Sequence, residues 1–366
     1  MKVGFLGDNM RIGILTFTDG TNYGQRLQNY ALQELLKSYG HDVFTIKQDH
    51  HYSIKHKVRV ALNSVIHIQQ TIKQNRRNSA FDEFNNRYIK FYNQMLPENS
   101  SENKAEEFDL FIAGSDQIWN PNSPFVNSNM FMQFAPRQKR ATYAASFSVN
   151  KIPDNKREEF IRWINGIDYV SVRELQAVKL VEELTGKKAV LSLDPTLLLD
   201  NKKWENMVEK SQSTIGLPAS YMISLFLGSS YSDAEEAISK QTGLSLVRFK
   251  DYETAAPDEF LKIIKKASLV ITDSYHVTIF SMLFHKPFII FQRKSKGASM
   301  NSRFETLDNY FHLENRFYEN VKKHKKYLEP LNRECFDKTL IELRKNSSEY
   351  LNLVLRGIHN QGTDVC

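Results

Sequence analysis

Short apolar runs alternate along the chain with stretches in which apolar residues recur every three or four positions, a pattern that predicts an α/β protein. RIGILTF, residues 11–17, is apolar and β-branched and stops at Thr18, Asp19 and Gly20, so it reads as a buried strand ending in a turn. From Gln25 to Tyr39, Leu27, Ala31 and Leu35 mark one face of a helix that Asn22 can cap and Gly40 ends. HDVFTI, residues 41–46, supplies the next strand. Strand, helix and strand in this order predict a parallel pair joined by a right-handed crossover.

Between Lys55 and Tyr92 the period is helical, with Val58, Leu62, Val65 and Ile72 on one side and basic residues on the other, which predicts an inserted helical pair. FDLFIAG, residues 108–114, and RATYAASF, residues 140–147, read as core strands, and the polar, Pro-containing excursion between them is a candidate active-site loop. The alternation continues at Tyr169 to Val172, Leu175 to Thr185 and Ala189 to Leu193. A second set follows, with strands expected at 220–228, 244–249, 268–273 and 287–291 and helices at 231–242, 258–266 and 276–284. The expectation is two Rossmann-like domains, residues 1–200 and 201–330, then an amphipathic C-terminal helix over 331–366. Leu340, Leu343, Leu351 and Val354 on that helix can pack against either domain. A length of 366 residues suits two domains, and two domains imply a cleft.

Composition narrows the function classes. At 41% hydrophobic and 25% charged, the chain is expected to fold throughout. It has no apolar run of membrane-spanning length, and its first ten residues carry Gly, Asp and Asn where a signal peptide would be apolar, so a cytoplasmic location is expected. Met10 directly precedes the first strand, which raises the expectation that translation starts there. The two cysteines, Cys335 and Cys366, indicate neither a disulfide framework nor a cysteine metal site, and His50 and His51 are adjacent without a ligand-spaced partner. A net charge of +7 suggests an anionic partner. The basic stretches at 55–77 and 321–327 read as solvated helix faces, and they lack the element that nucleic-acid recognition needs.

Ligands of open parallel sheets bind beyond the carboxyl ends of the strands, and four polar clusters fall there. TFTDGTNYGQ, residues 16–25, is a Gly-containing turn whose amides can face an anion, although it lacks the full dinucleotide or P-loop spacing. GSDQIWN, residues 114–120, presents Asp116, which can orient a sugar hydroxyl, act as a base, or merely cap a turn. Arg173, at a strand-to-helix junction, can fork onto a carboxylate or phosphate or pair with Glu174. In ITDSYHVTIFS, residues 271–281, Asp273 and Ser274 can cap a helix whose first turn holds His276, a candidate phosphate donor or proton shuttle. The loop 291–304 adds Arg293, Lys294, Lys296 and Arg303.

The opening strand with NYG and LQNYALQ, then GSDQIWN, SVRE, DPTLLL and DSYHVTIFS in that order, resemble the polysaccharide pyruvyl transferase family over most of residues 10–310. The resemblance implies a fold similar to GT-B glycosyltransferases, with two Rossmann-like domains facing across a deep cleft. It implies transfer of pyruvate from phosphoenolpyruvate to two hydroxyls of one sugar, forming a cyclic ketal and releasing phosphate, with no metal or redox cofactor. It places Arg173, His276, Ser274, Arg293, Lys294 and Arg303 on the donor side, with His276 as candidate acid, and Asn22, Tyr23, Asp116 and Gln117 toward the acceptor, with Asp116 as candidate base. Many members carry an arginine two residues before the histidine, where this chain has Ser274, so either the basic loop replaces that contact or the chain uses a different donor. Lipid-linked acceptors are common in such pathways and would give the basic stretches a role at an anionic inner membrane face. A nucleotide-sugar glycosyltransferase, with Glu305 or Asp308 on a ribose, and a non-catalytic carbohydrate-binding protein are the alternatives.

Overall fold

The computed structural model describes residues 9–49, 67–97, 104–212, 215–228, 230–293 and 302–363. Two compact units emerge, Met1–Leu199 with Lys345–Cys366, and Asp200–Arg344.

The first unit is built on five parallel strands: β1 (Arg11–Leu15), β2 (Asp42–Asp49), β3 (Phe91–Pro97), β4 (Leu110–Ala113) and β5 (Arg140–Thr142), in the order β3-β2-β1-β4-β5. This is Rossmann-type order, with its switch point between β1 and β4. A parallel pair, β6 (Ser171–Val172) and β7 (Val190–Leu191), is joined to the β5 segment by single bridges at Ala141–Tyr169 and Ala145–Val172.

Both faces of the central strands are buried, so their sequences are apolar throughout. Ile12, Ile14, Leu110 and Ile112 pack with Leu32 and Leu36 of the helix Tyr23–Ser38, and with Leu351, Val354 and Leu355 of the C-terminal helix Arg333–Thr363. Leu15, Phe111 and Ala113 point the other way, into a core that includes Trp119, Phe131 and Phe160. Each such side chain contributes about 1.5–3 kcal/mol by leaving water. Gly13 permits the close packing, because a Cβ there would lie 2.6 Å from Ile46 Cδ1.

The second unit has four parallel strands, β8 (Tyr221–Leu225), β9 (Ser245–Arg248), β10 (Leu269–Thr272) and β11 (Phe288–Ile290), in the order β11-β10-β8-β9. Its switch point lies between β8 and β10. The helix Tyr275–Leu283 is buried along its whole length, in keeping with its almost uniformly apolar sequence, and Phe280 on it meets Trp204 edge-on at 5.1 Å. The α/β reading with two Rossmann-like sheets therefore holds. No described helix is long and apolar enough to cross a membrane.

Three expectations change. The described part of the span 55–92 is one helix, Ile68–Tyr88, followed by β3. That helix buries Phe81, Phe84 and Asn85 and leaves Ile72 half exposed, while Val58, Leu62 and Val65 lie outside the described residues. β3 begins inside the span read as helical, and as an edge strand that buries only Tyr92 and Leu96 it lacks the apolar alternation of a strand. RATYAASF shortens to the three residues of β5, as Ala144 adopts φ of +53°. Part of the span read as a loop to residue 304 is the start of a helix, Ser302–Phe311.

Candidate active site

In the first unit, a cavity of about 440 Å³ opens at the carboxyl ends of β1, β2 and β4. Its walls come from Thr16 to Gly20, Asn22 and Gln25 after β1, Gln48 at the end of β2, Asp116 and Gln117 after β4, and Ser123, Phe125 and Met130 of the excursion. Two clusters more than ninety residues apart in sequence thus meet where the sheet topology directs them.

The loop after β1 is tied down from behind. Buried Arg26 donates to the carbonyl oxygens of Phe17 (3.3 Å), Thr18 and Gly20 (2.7 Å), and Arg77 donates to that of Thr21 (2.8 Å). Burial pushes the Arg26 guanidinium down to about 10, against Asp19 and Asp82, so it stays cationic at neutral pH. Gly20 takes φ +70°, the left-handed region in which glycine is favoured. Asn22 caps the helix, accepting from the Gln25 N–H at 3.2 Å, and still lines the cavity. Tyr23 is not among the lining residues: its ring packs on Phe81 at 4.9 Å, with Arg77 above it. Phe17 and Phe125 meet edge-on at 6.3 Å and give the cavity an aromatic wall.

The loop after β4 is anchored by Trp119. It stacks on Phe131 at 4.8 Å and 6° and donates its indole N–H to the Met130 carbonyl at 3.0 Å. Asp116 holds φ +75°, uncommon for a residue with a side chain, while its carbonyl accepts from Ser146 N–H at 3.1 Å. Gln117 accepts from the Asn120 amide at 3.1 Å.

Arg173, expected on the donor side, is buried among carboxylates at the end of β6. Its side chain is 1% exposed, donates to Asp194 at 2.6 Å, and lies 3.4 Å from Glu174 and 3.7 Å from Asp116. The pairing with Glu174 forms, buried rather than at the surface.

In the second unit, the ends of β8, β10 and β11 converge on Asp273. Its carboxylate accepts from the backbone N–H groups of Leu227 (2.7 Å) and Gly228 (2.9 Å) and pairs with Arg293 at 3.2 Å. Arg293 also donates to the Asp273 carbonyl at 3.3 Å. Asp273 therefore ties three loops together and does not cap the helix. Ser274 occupies the N-cap position of the helix Tyr275–Leu283 without capping through its hydroxyl, and its own N–H donates to Thr272 Oγ1 at 2.9 Å. His276 sits in the first turn, mostly buried, with Tyr275 edge-on at 5.3 Å. Arg303 lies over the other side of this group, 5.5 Å from the Tyr275 ring. Ser274, His276, Arg293 and Arg303 are thus gathered around one strand end and one helix N-terminus, a setting with positive potential. Lys294 and Lys296 lie outside the described residues. Asp308 accepts from the Leu313 N–H at 2.6 Å, and burial raises its carboxyl above the ordinary range.

Sequence reasoning missed Arg26, Gln48 and Asp194, and misassigned Asp273. Asp194 had a signal, since it opens DPTLLL and accepts from Thr196 N–H (2.9 Å) as an N-cap. Arg26 and Gln48 had none, because their roles depend on loops distant in sequence or on a strand's end.

A model of the polysaccharide pyruvyl transferase family matches residues 22–295. No curated protein sequence matches the chain. Among solved structures, UDP-N-acetylglucosamine 2-epimerase from Rickettsia bellii is 12% identical, with a TM-score of 0.49 over 96% of this chain and 97% of its own. An uncharacterized protein from Klebsiella pneumoniae is 14% identical, with a TM-score of 0.45 over 84% and 92%. Anabaena HepE, solved with UDP and glucose, is 9% identical, with a TM-score of 0.45 over 94% and 100%.

Proposed function

We propose, since the chain belongs to the polysaccharide pyruvyl transferase family, that it moves pyruvate from phosphoenolpyruvate onto two hydroxyls of one sugar in a cell-surface polysaccharide or its lipid-linked precursor. The observation that carries this reading is the family match over residues 22–295, which includes Asn22, Asp116 and Gln117 of the first cluster and Ser274, His276 and Arg293 of the second.

In the reaction, a proton adds to the methylene carbon of the enol and makes the adjacent carbon electrophilic. The first sugar oxygen bonds there and gives up its proton. The bond to phosphate then breaks, the second oxygen closes the ketal, and its proton leaves with phosphate. One hydroxyl proton thus balances the new methyl group and the other the released phosphate. The chemistry asks for cations on the donor, an acid and a base.

His276 is the candidate acid, near enough to the helix N-terminus to share the anion with its amides. Arg293, fixed by Asp273, and Arg303 supply charge for carboxylate and phosphate. In this assignment Arg293 takes the place of the arginine that many family members have at position 274, and Lys294 adds a further cation. On the acceptor side, Asp116 takes the hydroxyl proton, and Asn22 and Gln117 orient the ring within the first unit's cavity. Tyr23, packed on Phe81, drops out of the assignment.

Phosphate release from phosphoenolpyruvate in the presence of candidate sugars tests the reading, with ketal formation checked by mass spectrometry. Binding of nucleotide sugars without phosphoenolpyruvate turnover would move the chain to the glycosyltransferase alternative, and sugar binding without turnover to the non-catalytic one. A lipid-linked acceptor would bring the basic stretches 55–77 and 321–327 to an anionic membrane face. Vesicle binding that does not weaken with salt would contradict that part.

A further inference from the structure

We propose that the second unit carries a further binding site, for a phosphate group, in a cavity built by residues 312–332. The site lies beyond residues 22–295, which match the family model, and it is independent of the reaction assigned above.

The segment that forms the cavity is held to the sheet by its apolar side. Ile290 of β11 bridges to Phe317, Tyr318 stacks on Phe291 at 4.3 Å, and Val321 and Tyr327 are buried with Met222, Ile271 and Ile289. The helix Tyr318–His324 stops at Lys325, which takes φ of +54°. Polar residues of the segment are left around a cavity of about 400 Å³. Arg316, Lys326, His312 and His324 line it, and Glu329 is the one carboxylate among its lining residues. Lys326 pairs with that carboxylate at 3.2 Å. Asn332 also lines the cavity and caps the helix Arg333–Thr363, accepting from the Cys335 N–H at 3.0 Å. The first amides of that long helix, which have no partner within it, therefore stand at the cavity's rim.

Arg316 is the residue that calls for an anion. It is 4% exposed, yet among the described residues its side chain makes a single hydrogen bond, from Nη1 to the Glu329 carbonyl. The Glu329 carboxylate stands 3.8 Å from Nη2, beyond hydrogen-bond range. Burial lowers the guanidinium pKa by more than Glu329 raises it, so this carboxylate does not offset the loss of water. A buried guanidinium is ordinarily forked onto an oxyanion, and the cavity it lines has room for one. A phosphate there takes two parallel bonds from Arg316, charge from Lys326, and N–H groups from the imidazoles and the helix terminus. The cavity exceeds a bare phosphate, so the group belongs to a larger molecule, either a soluble phosphate ester or a lipid headgroup. Lys322, Lys323 and Lys325 are exposed and do not line the cavity; they raise the local potential without building the site.

The test follows the imidazole NMR resonances of His312 and His324 in the full chain, assigned through His312→Gln and His324→Gln, as glycerol 3-phosphate is added. These resonances report on this cavity and not on the phosphoenolpyruvate site proposed around His276. Saturable shifts are expected with glycerol 3-phosphate and none with glycerol. Arg316→Lys should weaken binding about 10-fold or more, the loss of a charge-assisted hydrogen bond. Lys326→Ala, at an exposed position, serves should Arg316→Lys fail to fold, and should weaken binding about threefold. Lys322→Ala combined with Lys323→Ala should leave it within about twofold of wild type. No saturable shift, affinity unchanged in both Arg316→Lys and Lys326→Ala, or an equal loss in the Lys322 and Lys323 double variant overturns the site, the last leaving a diffuse charged face in its place. Vesicles of phosphatidylcholine with phosphatidic acid separate the two sources. Displacement of glycerol 3-phosphate by them, and not by phosphatidylcholine alone, assigns the cavity to a lipid headgroup; binding that persists assigns it to a soluble phosphate ester.

Discussion

Gly228 offers a way to disturb the donor side through a single methyl group. Its N–H is bound to Asp273 at 2.9 Å, and a Cβ at this position would lie 2.8 Å from Arg293 Cγ and 2.9 Å from Asp273 Oδ2. Comfortable carbon–carbon contact begins at about 3.5 Å, so the overlap with the arginine is roughly 0.7 Å. Neither neighbour is a loose end: Cγ is near the root of its side chain, and Oδ2 is held by the Gly228 N–H and the guanidinium. The backbone is not the obstacle, since Gly228 is not among the residues with positive φ. Gly228→Ala should therefore push Arg293 away and carry its 3.2 Å contact with Asp273 out of hydrogen-bond range. Losing a charge-assisted hydrogen bond costs about 1.5–3 kcal/mol, which corresponds to roughly a 10- to 150-fold change in an equilibrium constant. If Arg293 holds the donor, KM for phosphoenolpyruvate should rise on that scale while the fold persists. Initial-rate measurements of phosphate release, with thermal unfolding alongside, read both effects. A variant with wild-type KM refutes the placement of Arg293 on the donor.

Three further outcomes are expected. His276→Ala should lower kcat by about 10²- to 10⁴-fold, the usual contribution of a general acid, with an unchanged circular dichroism spectrum; normal turnover sinks its role. Trp119→Ala should cost about 3–5 kcal/mol in urea unfolding, since it removes a fully buried ring stacked on Phe131 and its bond to Met130. A loss under 1 kcal/mol would mean that the loop is anchored elsewhere. Stability should also fall on acidification: burial holds His41 and His285 below the ordinary 6.5, so as pH drops through that value the unfolded chain takes up protons that the folded chain refuses. The stabilisation is complete above pH 6.5 and is lost toward the lowered values. His41→Asn, which keeps an acceptor for the Met10 N–H, should flatten the slope between pH 7.5 and 5.5, and a slope identical to wild type would contradict the assignment.

The elements that sequence reasoning found are those whose burial pattern is unambiguous. β1 and β4 are apolar on both faces, and Leu175–Thr185 repeats its apolar positions through Ala177, Leu180, Val181 and Leu184. β3 was not legible, because Tyr92 and Leu96 are spaced as in a helix and only pairing with β2 makes the segment a strand. At the site, the motifs showed which loops reach the strand ends but not which way each side chain turns. The strand-to-helix junction showed where Arg173 sits but not that it is buried beside three carboxylates. Its three carboxylates come together only when the ends of β4, β6 and β7 do, and two of them stand 57 and 21 residues away. Asp273 was misread for a similar reason: its partners, Leu227, Gly228 and Arg293, follow β8 and β11, so capping was the only local use visible for it.

The most direct test of the central claim is to incubate the protein with phosphoenolpyruvate and a panel of saccharides carrying free hydroxyl pairs, measuring phosphate release and product mass together. The account predicts stoichiometric phosphate and a product heavier than its acceptor by one pyruvate less one water, both lost in His276→Ala. Transfer of a glycosyl group from a nucleotide sugar, with phosphoenolpyruvate left intact across the same acceptors, would contradict it.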